Sequence, residues 1–310
     1  MKNLRKAVQD YVAMRRALGF NLRKVEVGLL DFVSFLERKG VSHITTARAL
    51  QWATQPSHVQ PAVWAQRLSF VRGFARHWSA IDPRTEIPPW GLLPYRPLRA
   101  RPYLYSEEEI RRLLQAAESL ASRHPLKPWT YSCLLGTLVV TGLRLGEALN
   151  LRTGDIDWSE GVLTIRGTKF GKSRLVPLHP STCKVLAAYA KRRNRLVAAR
   201  AEAYFFVNQN GNRLDRGEVR RTFYALSRQV GLRAPSASHG PRLHDFRHRF
   251  AIKTLIQWYR SGLDPERRLP ILSTYLGHVH VADTYWYLTA CPELMGLVVK
   301  RLEKRWEGQS

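Results

Sequence analysis

Breaking a phosphodiester bond without a metal ion takes three kinds of group: a side-chain nucleophile, cations around the nonbridging oxygens, and an acid for the departing oxygen. The second half of this 310-residue chain holds candidates for each. Arg144 lies in Thr141-Gly142-Leu143-Arg144-Leu145-Gly146-Glu147, where one helix is expected to end and another to begin. Lys169 lies in Gly167-Thr168-Lys169-Phe170-Gly171-Lys172, at an expected hairpin tip. His244 and Arg247 are spaced i, i+3 in Leu243-His244-Asp245-Phe246-Arg247-His248, so a helix would put them on one face. His278 follows Leu276-Gly277, and Tyr287 comes nine residues later in Asp283-Thr284-Tyr285-Trp286-Tyr287-Leu288. Taken singly, each has a plainer explanation. A lone arginine among 50 Lys and Arg residues is ordinarily solvated. The 243–247 run also suits a core histidine beside an ion pair, and the aromatic run 285–287 suits packing.

Other chemistries lack their parts. Metal-dependent phosphoryl transfer calls for clustered carboxylates. The only close aspartate pair, Asp155 and Asp157, precedes Trp158, where turn chemistry explains it better. No G-x-x-x-x-G-K-[ST] phosphate loop is present, which argues against ATP-driven work. Cys133, Cys183 and Cys291 are far from any zinc spacing and suggest buried thiols in a reducing cytoplasm. Neither a metal nor a cofactor is expected.

The elements that must position these groups form two expected domains. Residues 2–80 read as helices: Leu29, Leu30, Val33 and Leu36 recur at helical spacing before Gly40, and Thr45 or Thr46 can cap the next helix. After Pro61, Trp64, Leu68, Val71, Phe74, Ala75 and Trp78 form an apolar stripe interrupted by Arg67, Arg72 and Arg76, which suggests one greasy and one basic face. Residues 83–102 hold six prolines and four arginines, Arg99 and Arg101 among them, and read as an extended basic linker. The expected division is a helical domain with a basic face over 1–82, a linker over 83–105 and a second domain, which carries the candidate groups, over 106–310. The last begins at the capping box Ser106-Glu107-Glu108-Glu109. Within it, Trp129–Val140 and Leu145–Leu151 read as helices. Val162–Ile165 and Ser173–Pro177 read as strands joined by a turn at 169–172. Helices are expected at about 181–200 and 217–230, with a short strand at Phe205–Val207 between them. Residues 261–265 read as a surface loop. The fold class is mainly α with a small β-hairpin or sheet.

Charge points to the partner. The formal net charge is +26, with 16 basic against 6 acidic residues in 1–100 and 34 against 18 in 101–310. The excess therefore runs through both halves of a chain whose 45% hydrophobic content is that of a folded protein, which favours a polyanion as partner. No apolar run reaches the length needed to span a bilayer, and Met1–Lys6 lacks a signal peptide's apolar core.

The ordered set Arg144, Lys169, His244-x-x-Arg247, Leu276-Gly277-His278 and Tyr287 resembles the tyrosine recombinases, the phage integrase family. The basic helical domain and proline-rich linker resemble that family's core-binding region. Residues 283–289 with Pro292-Glu293-Leu294-Met295 look most like transposon-encoded members.

The resemblance implies a site-specific recombinase or integrase acting in DNA recombination and transposition, without metal or ATP, through a 3′-phosphotyrosyl link. Tyr287 would be the nucleophile rather than Tyr285. Arg144 and Arg247 would hold the nonbridging oxygens, and Lys169 rather than Lys172 would protonate the 5′ oxygen. His244 would assist proton transfer or orient the phosphate, His278 would hydrogen-bond it, and Glu147 would position Arg144. Arg67, Arg72, Arg76, Arg99, Arg101 and Lys172 would contact DNA. The expected partners are double-stranded DNA and further copies of the chain, a tetramer in synapsis, in the cytoplasm at the nucleoid. A non-catalytic DNA-binding accessory protein on the same scaffold is the alternative.

Overall fold

The computed structural model describes residues 4–94, 101–167, 173–197, 204–237, 239–289 and 291–307. The chain is mainly helical with one small antiparallel sheet, and it divides into two compact units, Met1–Ala100 and Arg101–Ser310. Among the described residues no helix is long and apolar enough to cross a membrane.

The first unit is built on four helices, α1 (Leu4–Ala17), α2 (Arg23–Arg38), α3 (Thr46–Ala53) and α4 (Pro61–Trp78). Local signals set their limits. The Thr45 hydroxyl accepts the Arg48 N–H at the start of α3, and Pro61 opens α4, where its missing N–H costs nothing. Phe32, Phe35, Trp52 and Phe74 are fully buried between them. The face of α4 expected to be basic is largely committed to structure. Arg67 stacks on the Trp52 ring at 3.9 Å and donates to the Trp52 carbonyl and the Asp31 carboxylate. Arg72 is only 6% exposed; it donates to the Pro88 and Pro89 carbonyls at 2.7 Å each and lies over Trp90. Arg76 is the member of the set that is exposed.

The proline-rich stretch is thereby folded onto this unit through its first part. Thr85 is buried, Glu86 N–H donates to the Ile44 carbonyl, and the Glu86 carboxylate accepts the Thr46 N–H. Prolines leave carbonyls without neighbouring N–H donors, and Arg72 supplies the donors. Arg99 lies outside the described residues; Arg101 is exposed.

In the second unit, α5 (Glu107–Glu118) starts at the reciprocal Ser106–Glu109 capping box. Helix α6 (Leu126–Thr141) is apolar on nearly every side and lies against α5, α8 and α10. Then come α7 (Leu145–Asn150), a 3-10 turn at Thr153–Asp155, and the strands β1 (Ile156–Asp157), β2 (Val162–Ile165) and β3 (Arg174–Pro177). The sheet is antiparallel in the order β1-β2-β3, with Leu163 paired to Val176 in its buried layer. The hairpin tip between β2 and β3, with Lys169 and Lys172, lies outside the described residues. The Asp157 carboxylate accepts the N–H groups of Ser159 and Glu160, and Asp155 accepts from Arg152 N–H and Arg166, which is turn and loop bonding.

The remaining elements are helical: α8 (Pro180–Leu196), α9 (Arg216–Gln229), α10 (Leu243–Arg260), α11 (Pro265–Leu276), α12 (Ala282–Tyr285), a 3-10 turn at Trp286–Thr289, and α13 (Pro292–Glu307). Three expectations differ in extent. Helix α8 stops at Leu196. Phe205–Val207 is not a strand: only isolated bridges Arg152–Tyr204 and Val207–Arg213 form there, and Phe205 and Phe206 serve as core plugs instead. The loop at 261–265 is shorter than expected because Asp264 caps α11 and Pro265 takes its first position. Helix α13 packs on α10, burying Leu294, with Arg260 bound to Glu293 and Arg301 to Asp264.

Candidate active site

Two left-handed glycines terminate the helices that bring the site together. Helix α6 ends at Gly142, with φ 61°, where a Cβ would lie 2.8 Å from the Phe250 ring. The chain then reverses, and Arg144 becomes the residue that begins α7. Helix α11 ends at Gly277, with φ 66°, where a Cβ would lie 2.8 Å from the Arg174 guanidinium. That turn puts His278 beside Arg144. In both places only glycine combines the backbone angle with the close approach.

Arg247 fastens the two ends to each other. From α10 it donates to the Gly142 carbonyl at 2.9 Å and to the Leu276 carbonyl at 2.5 Å, and its side chain is 2% exposed. Burial, then the neighbouring charge of Arg144, lowers its pKa to about 10 against the raising influence of the Tyr287 phenol and Glu147. It therefore stays cationic at neutral pH.

Arg144 is oriented rather than free. Glu147 accepts both its backbone N–H at 2.9 Å and its Nη1 at 2.8 Å, while Nη2 donates to the Gly277 carbonyl. The same carboxylate receives Arg174 from β3, at 3.1 and 2.8 Å. Burial works against the Glu147 charge, but Arg174 and then Arg144 bring its pKa down to about 2. Arg144, Glu147, Gly277 and His278 line an open cleft of about 480 Å³, with Arg166, Arg216 and His280 also on its walls. A cleft with this many cations suits an anion.

Three histidines surround the cations. His278 Nδ1 is 2.7 Å from the Thr284 hydroxyl. His244 and His248 sit one helical turn apart on α10, their rings 4.6 Å apart. Burial followed by Arg247 pushes His244 and His278 down to about 4; burial followed by His244 does the same to His248. All three are neutral at pH 7 and able to accept a proton. Tyr287, on the 3-10 turn, is 2% exposed. Its ring packs against His278, His248 and Trp286 at centroid distances of 6.1, 5.6 and 5.4 Å. Tyr285, two residues earlier, is 52% exposed.

The structure thus gathers Arg144, His244, Arg247, His278 and Tyr287 from four separate parts of the chain. Lys169 lies outside the described residues. Sequence reasoning missed Arg174 and His248. The i, i+4 spacing from His244 was signal enough for His248. Arg174 left none, because its partners come from α7 and α11, distant in sequence. Among the described residues no group of three or more His, Cys, Asp or Glu gathers as metal ligands would.

Comparison with known proteins bears on the family and the fold. A model of the phage integrase family matches residues 104–293. The chain is 62% identical over 314 residues to the "Putative integrase/recombinase y4rB" of Sinorhizobium fredii, covering all of both chains. Among solved structures it is similar in fold to a Tn1549 transposon integrase in complex with transposon right end DNA. That likeness has 15% identity and TM-score 0.69, and covers 96% of this chain and 98% of that one. A second is a lambda integrase tetramer bound to a Holliday junction, with 19% identity and TM-score 0.60 over 89% and 77% of the respective chains.

Proposed function

Since the chain belongs to the phage integrase family and is a site-specific recombinase, we propose that Tyr287 is the nucleophile of its DNA strand cleavage and rejoining. The phenolic oxygen forms a bond to the scissile phosphorus as the bond to the 5′ oxygen breaks, leaving a 3′-phosphotyrosyl enzyme and a 5′-hydroxyl. Arg144 and Arg247 take the nonbridging oxygens, where planar guanidinium forks match phosphate geometry and offset the charge that builds in the transition state. The phenol's proton passes to His244, whose ring is neutral at pH 7, and His278 hydrogen-bonds the phosphate. Lys169 supplies the proton to the departing oxygen. The ester conserves the bond's free energy, so a 5′-hydroxyl from a second duplex reverses the step on a new partner without ATP.

The observation that carries this reading is the packing of the Tyr287 ring among His278, His248 and Trp286 beside Arg247. Double-stranded DNA is the substrate, and paired sites held by a multimer of four are the working assembly. Solved structures of similar fold support this, since one is a tetramer on a junction and another holds transposon-end DNA. That second likeness also supports transposition as the setting; cytoplasmic DNA, at the nucleoid, is the proposed place of action.

The test is a nicked suicide substrate built on the sequence that the protein selects from a random DNA pool. A covalent protein–DNA adduct is expected in EDTA, retained in Tyr285→Phe and absent in Tyr287→Phe. Specific binding with no adduct from the unaltered protein on any such substrate would leave a DNA-binding accessory role in place of catalysis.

A further inference from the structure

The geometry points to Arg174 as a positioning residue for strand cleavage, acting on the phosphate-binding Arg144 through the carboxylate of Glu147. This inference rests on the reading of Arg144, Arg247 and Tyr287 as the strand-transfer centre.

The side chain of Arg174 is 8% exposed, and its fork is spent on protein. Nε donates to the Tyr275 carbonyl at 2.7 Å, and Nη1 and Nη2 donate to the two oxygens of Glu147. It leaves little to offer a phosphate. Arg144 differs: its side chain is 38% exposed, and it lines the cleft. The two arginines share one carboxylate, and Glu147 can hold Arg144 in a single orientation only while its own plane is fixed. Arg174 fixes that plane with two parallel bonds, the strongest arrangement available to a carboxylate.

Arg174 also ties three elements together. It starts β3, binds α7 through Glu147, and holds the last turn of α11 through Tyr275. A Cβ at Gly277 would lie 2.8 Å from its guanidinium, and the Gly277 carbonyl is the second acceptor of Arg144. Both contacts that aim Arg144, to Glu147 and to Gly277, therefore pass through groups that Arg174 braces.

The experiment uses the full-length protein and the suicide substrate above, measuring DNA affinity, the single-turnover rate of adduct formation at saturating protein, and the thermal midpoint. Arg174→Gln is expected to slow adduct formation about 100-fold, the effect of a misplacement near 1 Å. DNA affinity should stay close to that of the unaltered protein, because the guanidinium is buried. In a Glu147→Gln background the same substitution should change the rate by less than about 2-fold, since the route through Glu147 is already cut. The thermal midpoint should drop in Arg174→Gln and recover in the double variant, which buries no unpaired charge. Arg174→Lys, which keeps the charge but cannot span Glu147 and Tyr275, should give a rate between the two.

Equal slowing by Arg174→Gln in both backgrounds, or an unchanged rate in a folded Arg174→Gln protein, would overturn the inference while leaving the function intact. If Arg174→Gln does not fold, the double variant and Arg174→Lys decide: rates in proportion to their thermal midpoints would reduce Arg174 to a structural brace. Absence of adduct from the unaltered protein would overturn both.

Discussion

Arg247 shows how one buried side chain can clamp two helix ends together. Two of its donors go to the carbonyls of Gly142 and Leu276. The neighbouring histidines carry a pH signature. In an unfolded chain each has a pKa near 6.5; in the folded protein His244, His248 and His278 lie at about 4. Between these values the unfolded chain binds more protons, so stability rises with pH and is complete above about 6.5. It is lost as pH falls toward 4. Glu147, at about 2, keeps its contribution until pH drops below its unfolded value of about 4.5. The thermal midpoint is therefore expected to be lower at pH 5 than at pH 7.5, and His278→Asn should shrink the difference. An undiminished difference in that variant would remove His278 from the titration. At this scale order and spacing along the chain already pointed to Arg144, His244, Arg247, His278 and Tyr287. Arg174 was illegible because a buried ion pair between residues 27 apart leaves no periodic trace.

Helices and strands were legible where their ends carry chemistry. Ser106, Thr45 and Pro61 mark starts that the structure keeps. Phe205–Val207 misled because an apolar triplet before a turn fits a short strand and a core plug equally well, and only the packing of Tyr189 against both phenylalanines decides. The helix-ending glycines offer a graded test. Gly40→Ala, with φ 63° but open space around its Cα, should cost about 1–2 kcal/mol of stability for the left-handed backbone alone. Gly142→Ala adds a clash with the Phe250 ring, worth about 1–3 kcal/mol more. It should also slow adduct formation, because the Gly142 carbonyl holds Arg247. Chemical denaturation of the two variants gives the comparison; equal losses would mean that Phe250 moves aside freely.

For the whole molecule, the surplus of 26 positive charges makes affinity for DNA steeply salt-dependent, but individual arginines divide between surface and scaffold. Arg76→Ala should reduce the slope of log affinity against log salt by about 1 if Arg76 meets a phosphate. Arg72→Ala should leave the slope alone and instead lower the thermal midpoint, since two proline carbonyls lose their donors at about 1–3 kcal/mol. An altered slope in Arg72→Ala would return that residue to the DNA-facing set. Composition made the basic character plain, yet it could not separate these cases, because burial of a guanidinium depends on carbonyls that the chain presents sixteen residues later.

The docking of residues 83–93 on α4 bears on how the protein can be taken apart. A fragment that stops at Asp82, where proline density first suggests a seam, would strip Arg72 of both acceptors and lay bare the buried base of α4. Chimaeras that exchange the first unit of one such enzyme for another therefore need their junction beyond Leu93, carrying the proline segment along as part of the donor.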